Sequence, residues 1–67
     1  MKIILNNREE IFSADSLTIN NLLEVKKFSF KMLVIKINGK LIKKGDYDTA
    51  QVQDGDEVMV LHLISGG

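Results

Sequence analysis

A single stretch of helical periodicity, with strand-like runs on both sides, constrains the fold of this chain most. Ile19, Leu22 and Leu23 fall at positions i, i+3 and i+4, so their side chains share one face of a helix. Thr18 is the predicted N-cap, because its hydroxyl can accept a hydrogen bond from an otherwise unpaired backbone N–H. A helix of roughly nine residues is marginal in isolation, so it must pack against a sheet.

The predicted helix ends in a basic turn. Lys26 and Lys27 are expected in its last turn, where positive charge is favourable against the helix dipole. Phe28 and Phe30 follow, and we expect them to close that end of the core.

Strand-like runs account for most of the remaining chain. The predicted strands span residues 2–6, 9–13, 32–38, 40–42 and 57–64. Asn38-Gly39 indicates a type I′ hairpin, since both central residues of that turn need a positive φ. Residues 43–50 are expected to be irregular with one helical turn, anchored by Tyr47. This order of strands and helix predicts an α+β fold, in which a mixed sheet of four to five strands carries one helix on one face. We expect the first and last strands to pair in parallel at its centre.

The alternation of side chains along the last strand predicts a second apolar surface. If Val58 and Val60 face the helix, their neighbours point to the other side of the sheet. The residues expected on this outer face are Ile4, Val34, Met59, Leu61 and Leu63. The helix cannot cover both faces, so we expect a partner-binding patch there, with Lys2 and Lys36 as a polar rim. The alternative is that loops or self-association cover this face.

Composition excludes several classes of function. Nine basic and nine acidic residues balance, and no basic run stands out, which argues against nucleic acid or membrane partners. The chain has no cysteine, so it can form neither a disulfide nor a thiolate zinc site, as suits a cytoplasmic protein. The apolar run after Met1 is too short for a signal peptide.

Catalytic and metal sites are also disfavoured. His62 is the one histidine, and without a cysteine or a serine motif it cannot complete a catalytic triad. Asp54 and Asp56 flank Gly55 in a predicted tight turn, and two carboxylates without further ligands do not make a calcium site. We therefore predict no bound metal and no resident cofactor.

The last strand runs directly into Ser65-Gly66-Gly67. Glycine packs nothing and loses the most backbone entropy on ordering, so two terminal glycines are a poor end for a folded body. We expect residues 64–67 to form a flexible tail on a single domain that spans residues 1–67. A slender tail of this kind can present its carboxylate inside the narrow active site of another protein.

The element order, the Asp54-Gly55-Asp56 turn and the final Gly66-Gly67 together resemble the ThiS sulfur carriers of thiamin biosynthesis. The likeness covers essentially the whole chain and implies the ubiquitin-like β-grasp fold. It also implies a carrier that is a co-substrate and not an enzyme.

The resemblance further implies that the Gly67 carboxylate would be adenylated by a ubiquitin-activating-like partner that uses ATP and Mg²⁺. A sulfur donor such as a cysteine desulfurase then supplies sulfur for a thiocarboxylate, and thiazole synthase receives it. Gly66 would keep the tail narrow. The residues expected to contact partners are Val34, Met59, Leu61, Leu63, Ile64 and Ser65.

Two alternatives share this architecture. The small subunit of molybdopterin synthase also carries sulfur on a terminal glycine, but usually has prolines before it, and this chain has none. The other alternative is a ubiquitin-like modifier joined to lysine side chains, or an interaction module whose tail has no function.

Overall fold

A computed structural model describes residues 1–29 and 32–63 of the chain. Its elements, in chain order, are β1 (Lys2–Leu5), β2 (Arg8–Ile11), β3 (Ser16–Thr18), α1 (Ile19–Val25), β4 (Leu33–Ile37), β5 (Lys40–Ile42), a 3-10 turn (Lys44–Asp46), β6 (Gln51–Gln53) and β7 (Glu57–His62).

Five strands form the main sheet, in the order β2-β1-β7-β4-β5. The first and last strands pair in parallel, with Leu5 opposite Val58, and the other pairs are antiparallel. The last strand therefore lies at the centre, between β1 and β4. The prediction of a mixed, β-grasp-like sheet with one packed helix is confirmed.

The core lies between α1 and one face of this sheet. Leu22 and Ile19 of α1 are fully buried, as is Ile35 of β4. The buried residues are Ile3, Leu5, Ile19, Leu22, Ile35, Val52, Val58 and Val60. Alternate residues of β1, β4 and β7 thus face the helix, as the sequence alternation predicted.

The helix begins as predicted. Thr18 is the N-cap, and its Oγ1 accepts a hydrogen bond from the Asn21 N–H at 3.1 Å. Ile19 and Leu22 point into the core, and Leu23 packs against its edge.

The predicted end of the helix is wrong. The helix stops at Val25, Lys26 is the C-cap, and Lys27 takes a left-handed conformation with φ of 59°. The Phe28 N–H then donates to the Leu23 carbonyl at 2.8 Å. This is a Schellman-type ending, and it satisfies carbonyls that a longer helix would otherwise have used. Phe28 packs against the core, whereas Phe30 lies outside the described residues.

A second, two-stranded sheet was not predicted. It joins β3 to β6, with Leu17 opposite Val52, and neither strand is among those predicted from the sequence. Strands of three residues are too short to show alternation, so their pairing depends on contacts distant in sequence. Val52 is completely buried and belongs to the same core as Ile19 and Leu22 of α1.

Two turns predicted from sequence are joined to each other. Asn38 and Gly39 both have positive φ, at 51° and 83°, as the type I′ hairpin requires. The Asn38 side chain donates to the Asp56 carboxylate at 3.0 Å and accepts from the Glu57 N–H at 2.9 Å. Asp56 also accepts from the Gln53 N–H at 2.9 Å, so its carboxylate holds the turn that precedes β7.

Candidate functional site

The central strand β7 leads toward the predicted functional tail. β7 has a hydrogen-bonded neighbour on each side: β1 pairs with its first two residues, and β4 pairs with residues 58–62. Beyond the last assigned strand residue, the Leu63 N–H still donates to the Met32 carbonyl at 3.0 Å. Ile64, Ser65, Gly66 and Gly67 lie outside the described residues, and their predicted roles stay predictions.

A side chain prolongs the parallel pair beside this strand. The Asn6 N–H donates to the Val58 carbonyl at 2.9 Å, one residue past the end of β1. The Asn6 Oδ1 then accepts from the Val60 N–H at 2.7 Å. Nothing local in the sequence marks this bond to a residue near the other end of the chain.

The sheet face opposite the helix carries the predicted apolar patch. Cross-strand pairs place Val34 beside Leu61 and, on the other side of β7, Ile4 beside Glu57. Leu61 is 44% exposed and Leu63 is 45% exposed, while the predicted patch residues Ile4, Val34 and Met59 are half-buried. The structure therefore brings the four described partner-binding candidates, Val34, Met59, Leu61 and Leu63, onto one surface. We call this surface the outer face.

Two further apolar residues lie beside it that the sequence did not single out. Leu41 stands opposite Lys36 on β5, and Met32 stands opposite Leu63. Both are about half exposed, at 54% and 50%. They extend the exposed apolar surface toward the β5 edge. Alternation along residues 32–38 could have marked Met32 as outward-facing. The direction of the Leu41 side chain could be predicted only with the register of the β4–β5 hairpin.

The two lysines predicted as a polar rim lie on the same side of the sheet as the outer face. Lys36 is exposed beside Met59, and Lys2 forms an exposed ion pair with Glu9 at 3.5 Å. Exposed pairs of this kind contribute little to stability. They can instead orient an approaching partner, because charge at a rim acts mainly on association rate and register.

The carboxylates once considered for metal binding are turn residues. Asp54 accepts a hydrogen bond from the Lys2 N–H at 2.7 Å, and Asp56 holds the turn before β7. Among residues 1–29 and 32–63, no group of three or more metal-ligating side chains occurs. Over the same residues, no helix is both long and apolar enough to cross a membrane.

Comparison with known proteins decides the family. A sequence model of the ThiS family matches residues 2–67. The chain belongs to the ThiS family. Its fold is similar to a crystal structure of a thiamine biosynthesis protein (ThiS) from Geobacter metallireducens, with a TM-score of 0.89 and 28% identity over the whole of both chains.

Two further likenesses support the ThiS family assignment. An NMR solution structure of a thiamine biosynthesis protein from Geobacter metallireducens superposes with a TM-score of 0.80 at 28% identity, over all of this chain and 88% of that one. A thiazole synthase from Paramagnetospirillum magneticum is 31% identical over all 67 residues. The chain spans 20% of the length of that relative.

Proposed function

We propose that this ThiS-family chain is a sulfur carrier in thiamin biosynthesis, with sulfur held as a thiocarboxylate on Gly67. The observation that carries the proposal is the family match, which continues through the described sheet to residue 67. The central position of β7 supports it, because a rigid strand beneath the tail fixes the point from which the tail reaches a partner.

The proposed chemistry begins with activation, because a carboxylate is a poor electrophile. The Gly67 carboxylate oxygen attacks the α-phosphorus of ATP in an adenylating partner, Mg²⁺-bound pyrophosphate leaves, and an acyl-adenylate forms. The terminal sulfur of a persulfide then attacks the acyl carbon and AMP leaves. A thiol reduces the resulting acyl disulfide, which releases the thiocarboxylate and leaves the donor as a disulfide. The chain itself supplies the reacting group, and its partners supply the catalysis.

The outer face is the proposed docking surface for these partners. Leu61 and Leu63 are exposed apolar side chains close to the tail, and burying them would stabilise a complex. Met59 and Val34 complete the contact, and Ile64 and Ser65 would follow it toward the active site. Because these contacts lie close to the tail, only a few residues would become ordered when the tail enters a partner's active site. Little chain entropy would therefore be lost.

Thiazole synthase is the proposed sulfur acceptor. One protein of that name contains a segment 31% identical to the whole of this chain, which supports a working association between the two activities. A cysteine desulfurase is the proposed persulfide source. We propose a cytoplasmic location, because the last step needs a free thiol, and thiols are kept reduced in that compartment.

Adenylation and intact mass test this function together. With the adenylating enzyme from the same organism and ATP, the purified chain should release pyrophosphate. With a persulfide donor and a thiol added, its mass should rise by about 16 Da, as sulfur replaces one oxygen. The product should then support thiazole formation by thiazole synthase. Sulfur transfer only to a molybdopterin synthase large subunit, or conjugation to lysine side chains, would contradict the proposal.

A further inference from the structure

A groove of about 840 Å³ opens at the β5 edge of the sheet, and Val34 and Leu63 of the outer face contribute to its lining. Leu23 of α1, Phe28 and Tyr47 form one wall, and Leu33 and Ile42 contribute from the sheet. All five are partly buried and pack against the core, so this wall is held in place by the fold.

The groove exists because β5 is shorter than the strand beside it. β5 pairs with residues 35–37 and ends at Ile42, whereas β4 continues to Leu33. The chain turns away after Ile42 and enters the 3-10 turn. Leu33 and Val34 therefore extend past the last β5 pair and line the groove.

The edge strand also presents backbone groups outward. In a hairpin with a two-residue turn, the two residues next to the turn are hydrogen-bonded to each other. The two residues of the following pair are not hydrogen-bonded to each other. Ile37 and Lys40 are next to the turn, so Lys36 and Leu41 are the following pair. The N–H and C=O of Leu41 thus point away from β4, and β5 is the last strand on that side.

The charged side chains that line the groove are all basic, whereas Asp46 lies in the 3-10 turn that follows. Lys43 and Lys44 line the groove, Lys40 lies on β5, and the described lining residues include no aspartate or glutamate. The two ion pairs formed among the described residues use Lys2 and Lys26 and lie elsewhere.

We propose that the β5 edge and its groove bind an extended segment of a partner protein in which acidic residues alternate with aliphatic ones. Added beside β5, such a strand would bond to the outward backbone groups of Leu41. Its side chains would alternate between the groove and solvent. The aliphatic side chains would cover Phe28 and Tyr47, and the acidic ones would meet Lys43 and Lys44. This inference does not depend on sulfur transfer.

The same charges argue against a second copy of the chain as the occupant. Pairing two β5 edges would place two sets of Lys40, Lys43 and Lys44 side by side. Like charges opposed across strands are destabilising, and lysine on an edge strand is a common protection against self-pairing. An acidic partner turns this repulsion into attraction.

A peptide titration followed by NMR tests the proposal. The probe is a peptide of about eight residues that alternates valine and glutamate, long enough to span the edge strand. Added to the ¹⁵N-labelled full chain, it should shift the amide signals of Leu41, Ile42 and Tyr47 most. A peptide with lysine in place of glutamate should not bind, and binding should weaken as salt rises, because exposed charges are screened.

Two matched charge reversals give the control. Lys44→Glu should weaken binding roughly fivefold, since one attraction becomes a repulsion. Arg8→Glu makes the same change in net charge on β2, the opposite edge strand, and should change affinity less than about twofold. Equal losses in both variants, shifts centred on Leu61, absence of binding at millimolar peptide, or a dimer in sedimentation would each overturn the proposal.

Discussion

The Oδ1 atom of Asn6 lies 2.7 Å from the backbone nitrogen of Val60 and accepts its hydrogen bond. Asn6 has a φ of 51°, so its backbone has already left the strand conformation. Its side-chain oxygen takes the place of the backbone carbonyl that would accept this hydrogen bond if β1 continued by one residue. The parallel pairing of β7 is thereby prolonged by one bond, just below the residues that lead to the tail.

Loss of this bond should destabilise the fold. In Asn6→Ala the Val60 N–H loses its partner beside the core, and the expected cost is about 1–3 kcal/mol. Asn7→Ala is the matched control, because Asn7 also has a positive φ, of 68°, but is exposed in the turn. Urea unfolding measures both. Equal midpoints for the two variants would show that the bond itself contributes nothing beyond the turn conformation.

The helix–sheet core should be sensitive to truncation. Leu22 and Ile35 have no exposed surface, and replacing either by alanine should cost about 2–5 kcal/mol by leaving a cavity. A domain this small has a net stability of only about 3–5 kcal/mol, so either variant should be partly unfolded at room temperature. Val25→Ala, on the exposed side of α1, should leave the urea midpoint close to that of the wild type.

The outer face should tolerate charge in the free protein but not in a complex. Leu61→Asp places a carboxylate on a surface that is 44% exposed, so the circular dichroism spectrum should be unchanged. Binding to the adenylating partner should weaken, by at least about tenfold, because the charge would be desolvated in an apolar contact. Val25→Asp, at 56% exposure on the helix, should bind normally. Normal binding by Leu61→Asp would remove the outer face from the proposed interface.

The tail variants test the functional proposal most directly. One residue added after Gly67, or deletion of Gly67, shifts the carboxylate out of register with an active site that needs reacting atoms within about 3–3.5 Å. Gly66→Val preserves register but adds a branched side chain where the channel should be narrow. All three should lose pyrophosphate release with the adenylating enzyme while keeping the wild-type melting temperature. Adenylation of the extended and truncated forms at the wild-type rate would contradict the carrier proposal.

Short-range patterns in the sequence were enough to predict most of the sheet. Apolar alternation placed Val58 and Val60 inside and Leu61 outside, and burial in the structure agrees. Asn38-Gly39 predicted its turn because few other residue pairs accept two positive φ angles. Thr18 predicted the helix start because N-capping is a local hydrogen bond. Each of these features depends on residues only a few positions apart.

The β3–β6 pair and the end of α1 could not be predicted from local patterns in the sequence. The β3–β6 pair unites Thr18 with Gln51, and three-residue strands carry no period of their own. The helix ended before Lys26 because a left-handed Lys27 allowed Phe28 to return to Leu23 and the core. The preference for lysine in the last turn of a helix favoured a longer helix. The packing of Phe28 against the core outweighed that preference.

The sequence by itself determined the fold class, the direction in which each β7 side chain points and the glycine pair that follows. Those properties arise from alternation, turn chemistry and the absence of a side chain, which act within one segment. Only the tertiary structure decided that Asn6 would bond to Val60, and that the end of β5 would leave a lysine-lined groove beside Tyr47. Such relationships depend on strand register and relative strand length, which are set when the whole core packs.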